Sequence, residues 1–309
     1  MAFVKLQSNV LDESQREGLR RVVSLGRDYL ELTKPRIMLF LLLTGYCAMV
    51  VAAGRAPDLA RTFWTMLGLA LSTGGAAALN MWYDRDIDAI MLRTQKRPLP
   101  EGRLSDADAL SFGIVLQAAS FFVLGYQVNW LSAWLAFGGF VYYVFLYTMW
   151  LKRRTPQNIV IGGGAGAMPP LVGWAAVTGH LDWAPILIFM IVFFWTPPHF
   201  WALAMYKQTD YTRAGIPMMP SVRGEGVAKR QSLVYTVLLW ITTISLYLTH
   251  TVGLFYLGIA IILSAAFTYY VIRMMLEPNG SFVWAKKTFV FSLLYLVGLF
   301  LAMVCNVQV

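Results

Sequence analysis

Apolar residues in this chain neither alternate nor keep to one helical stripe; they fill whole blocks of about 20 residues, separated by shorter polar stretches. A block of that length, apolar on every side, is long enough to cross a bilayer core as an α-helix. Charge-free stretches predict nine such helices, over about 37–53, 62–82, 109–126, 130–150, 157–178, 183–206, 231–250, 253–272 and 288–307. A transmembrane β-barrel would instead show runs of about ten residues alternating apolar and polar, and none is present. The pattern therefore predicts an all-α polytopic membrane protein.

Composition excludes the soluble alternative. Hydrophobic residues make up 58% of the 309 and charged residues only 13%, whereas a water-exposed surface needs about a quarter charged. The net charge of +9 could suggest a nucleic-acid partner, but its distribution is topological. Of 25 Lys and Arg, 23 fall before span 1 and in alternate loops, leaving Arg55 and Arg61 on the other side. Basic loops stay in the cytoplasm, so the bias predicts a cytoplasmic N-terminus, nine crossings and a periplasmic C-terminus, with no nucleic acid bound. Residues 1–28 read as a cytoplasmic tail and 29–309 as the membrane domain. The tail has no apolar core of the signal-peptide kind, so span 1 is expected to serve as the membrane signal. Cys47 and Cys305 lie in apolar blocks without metal or haem-attachment spacing and read as packing residues.

The polar chemistry is concentrated in two long cytoplasmic loops, about 83–108 and 207–230. They lie four helices apart, as in a duplicated four-helix unit, although no sequence repeat is evident. At the end of span 2, Asn80, Asp84 and Asp88 are spaced i, i+4, i+8 and share one helical face. Such carboxylates repel one another unless a cation neutralises them, and hard oxygens beside an amide suit Mg²⁺ bridging to a phosphate. The same spacing also fits an inert, solvated acidic helix end. The basic run that follows, Arg93, Lys96, Arg97 and Arg103, favours a metal-diphosphate site, since cations on the remaining oxygens would stabilise a diphosphate leaving group. Arg103 alone is explained equally well as a loop anchor.

In the second loop Asp210 could complete the metal site, or be a surface charge. Lys207 lies just before it, and Tyr147, Lys152, Arg153, Arg154 and Asn158 gather at the turn between spans 4 and 5, where a topological role is also adequate. His199 follows Pro197-Pro198 inside an apolar run. A proline-broken membrane helix tends to line a cavity, which makes His199 a site candidate, against the alternative that it satisfies a backbone carbonyl. The run Gly162-Gly163-Gly164-Ala-Gly166 lacks the flanks of a nucleotide loop and reads as room for close helix packing or a bulky ligand.

The chain resembles the UbiA-type intramembrane prenyltransferases through Asn80-x-x-x-Asp84-x-x-x-Asp88 followed by Arg93-Thr-x-x-Arg97-Pro-Leu. Within them it resembles the protohaem IX farnesyltransferase (haem O synthase) branch. That match rests on Leu32-Thr-Lys-Pro-Arg36, Leu151 to Gly163, Pro197-Pro-His-Phe-Trp-Ala-Leu203 and Asp210 to Pro220. The resemblance implies nine helices around a central cavity and a Mg²⁺-dependent transfer of farnesyl from farnesyl diphosphate to a vinyl group of haem b, giving haem O for terminal oxidases. Asn80, Asp84, Asp88 and Asp210 would hold the metal, and Arg93, Lys96, Arg97, Lys152, Arg153 and Lys207 the diphosphate. Asp84, Asp88 and His199 would be catalytic, with His199 contacting haem iron or moving a proton. The bacterial inner membrane is the implied location, and a haem A synthase or oxidase assembly factor the implied protein partner. Met81 stands where many aromatic-substrate members carry Asp, and Ala214 leaves the second Asp-x-x-x-Asp incomplete, as the haem branch would have it. A quinone-pathway aromatic prenyltransferase is the alternative enzyme. A secondary transporter is the alternative outside that class, but its coupling charges would lie near the midplane and not at one face.

Overall fold

The computed structural model describes residues 13–307. Nine helices in it are long and apolar enough to cross a membrane. They are α2 (Pro35–Ala53), α3 (Leu59–Tyr83), α5 (Asp106–Gln127), α6 (Trp130–Leu151), α7 (Asn158–Thr178), α8 (Trp183–Tyr206), α11 (Glu225–Leu248), α12 (Leu254–Leu276) and α13 (Val283–Cys305). Between them lie the short helices α4 (Arg85–Ile90), α9 (Gln208–Arg213) and α10 (Met219–Arg223), and α1 (Glu13–Leu32) precedes them all. Among the described residues there is no sheet, only an isolated bridge between Val252 and Val307.

The helix ends depart from the charge-free stretches in an instructive way. Helix α11 starts at Glu225 and α13 at Val283, each between one and two turns before the first residue expected from the sequence. Leaving the hydrocarbon does not end a helix: charged residues continue it through the interface. Lys287 lies 4.4 Å above the ring of Trp284, while Lys229 turns inward to donate to Glu277 O at 2.8 Å. The boundary drawn at residue 28 falls inside α1, and residues 1–12 lie outside those described. Two expectations are corrected. Helix α8 runs unbroken through the buried Pro197 and Pro198; packing against neighbouring helices keeps it continuous despite two missing N–H donors. Cys47 packs in the core, but Cys305 is exposed at the end of α13.

The nine spans close a ring in chain order, from α2 through α3, α5, α6, α7, α8, α11, α12 and α13 back to α2. The closest pairings, α3 with α5 and α8 with α11, are counterparts four spans apart, and α2 also packs on α7, its own counterpart. The duplication suggested by the loops is thus present in the packing. Apolar side chains gain little from one another in lipid, so close backbone approach supplies the association. At the α2–α7 crossing a Cβ on Gly173 would lie 2.1 Å from Gly45 O. Between α3 and α5 the approach is mutual: Cβ positions on Gly75 and Gly113 would lie 2.8 and 3.0 Å from the other's carbonyl oxygen.

Connections at one end of the ring are short and start helices with local caps. Asp58 accepts from Arg61 N, Asn129 from Ser132 N and Asp182 from Ala184 N, at 2.8, 2.8 and 3.0 Å. The other end carries both long loops and the Lys152–Gln157 turn, and it is here that the polar residues collect. On this fold Gly173→Ala should destabilise the protein by about 3 kcal/mol, the upper part of the range for overpacking. Gly166→Ala, which meets nothing within 4 Å, should not. Melting of the two purified variants in detergent checks this, and equal midpoints would contradict the α2–α7 crossing.

Candidate active site

The site is built where α3 runs out. Asp84 ends α3 and begins α4 with φ −90° and ψ 5°, a local kink. The helical hydrogen-bond line nevertheless continues, from Asp84 N to Asn80 O at 2.9 Å and from Asp88 N to Asp84 O at 2.8 Å. Asn80, Asp84 and Asp88 therefore keep the common face expected from their spacing. Asp84 and Asp88 are only 1% and 4% exposed, and carboxylates buried this far must be paired.

Their partners come from three other segments. Lys152 forms an ion pair with Asp84 Oδ2, and Arg153 reaches Asp84 Oδ1 at 3.5 Å. Arg97 pairs with Asp88 at 2.5 Å; Thr94, whose hydroxyl donates to Asp88 O at 3.0 Å, folds the loop back to bring it there. Asn80 donates to Asp84 Oδ2 at 2.8 Å and to Thr148 Oγ1 at 3.0 Å. Its own oxygen accepts from Lys34 Nζ at 2.5 Å. Asp86 points away, is 61% exposed, and takes two hydrogen bonds of 2.7 Å from Arg153, which hold its carboxyl below the ordinary range.

Lys34 was given no role by the sequence reading, yet it is central. It sits between α1 and α2 in a left-handed conformation, φ 51°, costly for a residue with a side chain and typical of functional positions. Burial, assisted by the charges of Arg97 and Lys152, brings its ammonium pKa down from 10.5 to about 7. Thr148 and Lys152 are set by a second irregularity: the last ten residues of α6, Tyr142–Leu151, wind as π-helix, a form frequent at functional sites. In that stretch Tyr143 stacks on Tyr147 at 5.6 Å.

The two long loops meet. Ile87 and Met91 pack with Tyr211, Ile216 and Met218, the Arg93 guanidinium lies 5.6 Å over the Tyr211 ring, and Asn158 donates to Pro217 O at 3.3 Å. Asp210, half-buried in α9, makes no hydrogen bond or ion pair with Asp84 or Asp88. Lys207 and Lys96 are exposed at the rim. The Lys96 carbonyl accepts from Arg103, whose guanidinium also holds Asp28 and Glu31, an anchoring role. Among the described residues no three His, Cys, Asp or Glu side chains form a closed metal cage. Two carboxylates and a carboxamide oxygen on one face still suit Mg²⁺, which keeps water and takes substrate phosphate oxygens as ligands.

His199 lies elsewhere, between α8 and α13. It is 6% exposed and sandwiched between the rings of Trp195 and Phe289, at 4.2 and 4.7 Å. Its Nδ1 is 2.6 Å from Ser292 Oγ, and that hydroxyl gives its one proton to Phe289 O at 2.6 Å. Nδ1 is then the donor to Ser292, and Nε2 keeps a lone pair. The glycine run serves packing: Gly162, Gly163 and Gly164 are filled by Tyr147, Thr196 and Tyr142.

Residues 41–304 match the UbiA prenyltransferase family. The chain belongs to that family. A relative from Symbiobacterium thermophilum, named protoheme IX farnesyltransferase, is 56% identical over 91% of this chain and 94% of its own length. Two solved structures share the fold at 18% identity. One, from work on digeranylgeranylglyceryl phosphate synthase in membranes, superposes with a TM-score of 0.78 over 92% of this chain and 98% of that one. The other, a UbiA homolog from Archaeoglobus fulgidus bound to DMAPP and Mg²⁺, gives 0.62 over 89% and 99%.

Replacing Lys34 by Met removes a charged donor to Asn80, an interaction of about 1.5–3 kcal/mol. Prenyl-diphosphate turnover should fall by about tenfold or more at a temperature where the variant, whose melting temperature drops by a few degrees with the lost interaction, is still fully folded. Unchanged turnover would detach Lys34 from the site.

Proposed function

We propose that this chain transfers the farnesyl group of farnesyl diphosphate to a vinyl group of protohaem IX, haem b, and so makes haem O for terminal oxidases. The observation that carries the reading is the 56% identity, over nearly the whole chain, to the relative named protoheme IX farnesyltransferase. The buried acid-base cluster agrees with it. Ionising an allylic diphosphate needs its negative charge met from several sides, and four cations, Lys34, Arg97, Lys152 and Arg153, lie on or beside Asn80, Asp84, Asp86 and Asp88.

Mg²⁺, when bound, supplies Lewis-acid charge against the diphosphate oxygens; Asn80, Asp84 and Asp88 would hold it, with Asp210 facing from the second loop. The chain's own cations do the rest of the neutralising. Arg97, Lys152 and Arg153 turn from carboxylate to diphosphate, with Arg93, Lys96 and Lys207 closing from the rim. Lys34 fixes the Asn80 amide so that its oxygen and nitrogen cannot exchange places. The stacked Tyr143 and Tyr147 offer ring faces to the positive allylic carbon, and the buried surroundings keep water from it. The vinyl π electrons then form the new C–C bond, water adds to the carbocation left on the other vinyl carbon, and the proton it loses leaves with the displaced diphosphate, giving the hydroxyethyl group. His199, with Nε2 unprotonated, serves the haem half of the reaction as iron ligand or proton carrier.

The loop-rich end faces the cytoplasm of a bacterial inner membrane, where farnesyl diphosphate is supplied, and the product passes to a haem A synthase or oxidase assembly factor. The test is mass spectrometry of haem extracted after incubating the purified protein with haem b, farnesyl diphosphate and Mg²⁺. Haem O should form, and Asp84→Ala and Asp88→Ala should each abolish it. His199→Ala should weaken haem use while leaving the KM for farnesyl diphosphate. Haem O at normal rates from either Asp variant would end the metal assignment. Separately, reporters fused after Arg97 and Arg223 should read cytoplasmic and one after Val309 periplasmic. Opposite readings for the first two would separate the two loops and defeat the mechanism.

A further inference from the structure

Helix α9 divides the loop-rich end into two sides. Asp210 and Tyr211 share the half of its surface where Tyr211 meets Arg93 and the α4 residues. Gln208, Thr209, Thr212 and Arg213 share the other half, as their helical spacing requires, and there they line a separate cleft of about 460 Å³. The cleft is amphipathic. Its opposite wall is Met205 and Tyr206 from the end of α8 and Phe282 from the turn before α13, so a polar, cationic rim stands over an apolar floor. None of the diphosphate-site residues lines it. Arg213 makes no ion pair with another described residue.

The floor continues inward. Tyr206 packs edge-on against Phe289 at 5.8 Å, and Phe289 stacks on His199 at 4.7 Å. An aromatic lane thus runs from the cleft to the histidine whose Nε2 is free. A ligand suited to this arrangement is flat and apolar, with anionic groups confined to one edge. Diphosphate does not fit that description, and its own site lies on the far side of α9. Protohaem does: both propionates leave one edge of the macrocycle and both vinyl groups lie toward the opposite edge. The divider is one helix thick, about 10–12 Å with side chains, comparable to the width of the porphyrin.

We infer that this cleft is the propionate end of the acceptor site, with Arg213 pairing the propionates and Gln208, Thr209 and Thr212 donating around them. The assignment rests on the reading of the chain as a haem-farnesylating enzyme and adds to it the place where haem is gripped. Held there by its carboxylate edge, the macrocycle lies along the Tyr206–Phe289 wall with its vinyl edge turned away from Arg213. Arg213 is in this sense a specificity-determining residue. It selects an acceptor by its acidic edge, away from the reacting atoms, and has no part in ionising the diphosphate.

The experiment is a titration of the full-length protein in detergent, following the Soret absorbance, with haem b and with its dimethyl ester, in which both propionates are capped. The unmodified protein should bind haem b about tenfold or more tightly than the diester. R213A should lose that preference by weakening haem b alone, and R213K should restore part of it. In turnover, R213A should raise the KM for haem b and leave the KM for farnesyl diphosphate unchanged. Equal loss on both haems, or none on either, would overturn the assignment. If the unmodified protein made no haem O, the functional reading would fail, but the titration needs no turnover and would still decide the role of Arg213.

Discussion

Two carboxylates, Asp84 and Asp88, are buried at the end of a membrane bundle, and this burial dictates much of what surrounds them. Ions removed from water this far are tolerated only with partners of opposite charge in good geometry, and no single helix can supply them. Lys152 and Arg153 arrive from the end of α6, Arg97 from the loop after α4, and Lys34, through Asn80, from the junction of α1 and α2. Each provider is irregular where it delivers its cation: a left-handed residue at Lys34, π-helical turns before Lys152, a loop pinned by Thr94 before Arg97. Ideal helices would place these groups elsewhere. The local departures are therefore tied to the charge cluster and not scattered through the bundle.

Such a cluster needs a frame that does not yield when its charges rearrange. Close backbone contacts at Gly45–Gly173 and Gly75–Gly113 fix α2 against α7 and α3 against α5 deeper in the membrane, where polar groups are few. Glu277 performs a similar service at the loop-rich end. It accepts from the first amides of α13, Val283 N and Trp284 N, at 2.9 and 3.1 Å, and its carbonyl is held by the buried Lys229. Since α13 carries Ser292 and Phe289, this cap also sets the helix on which the orientation of His199 depends.

The spans and the shared face of Asn80, Asp84 and Asp88 were legible because they follow from periodicities that hold in any context: block length against bilayer thickness, and four residues per approximate turn. What was not legible depends on tertiary context. Nothing in the period of the sequence distinguishes Lys34 from Arg36 as the cation that turns inward; the left-handed backbone at one of them decides it. Pro197 and Pro198 suggested a broken helix because a proline's missing donor is a local fact, whereas the packing that keeps α8 continuous is not. Asp86 is set off the shared face by the same spacing, whereas its partner Arg153, delivered from the end of α6, is not a local matter.

A transferase that strips a diphosphate from a prenyl chain and hands the chain to an acceptor bearing carboxylates must separate the charge it stabilises from the charge it recognises. If the propionates of the acceptor reached Lys152 or Arg97, they would compete with the diphosphate for the same cations, and the rate would fall as acceptor accumulated. Helix α9 answers this by geometry. Its Tyr211 half packs on the α4 residues with Arg93 alongside, and its Arg213 half faces the cleft. On that proposal the six residues of α9 stand as a wall between two anion-binding sites.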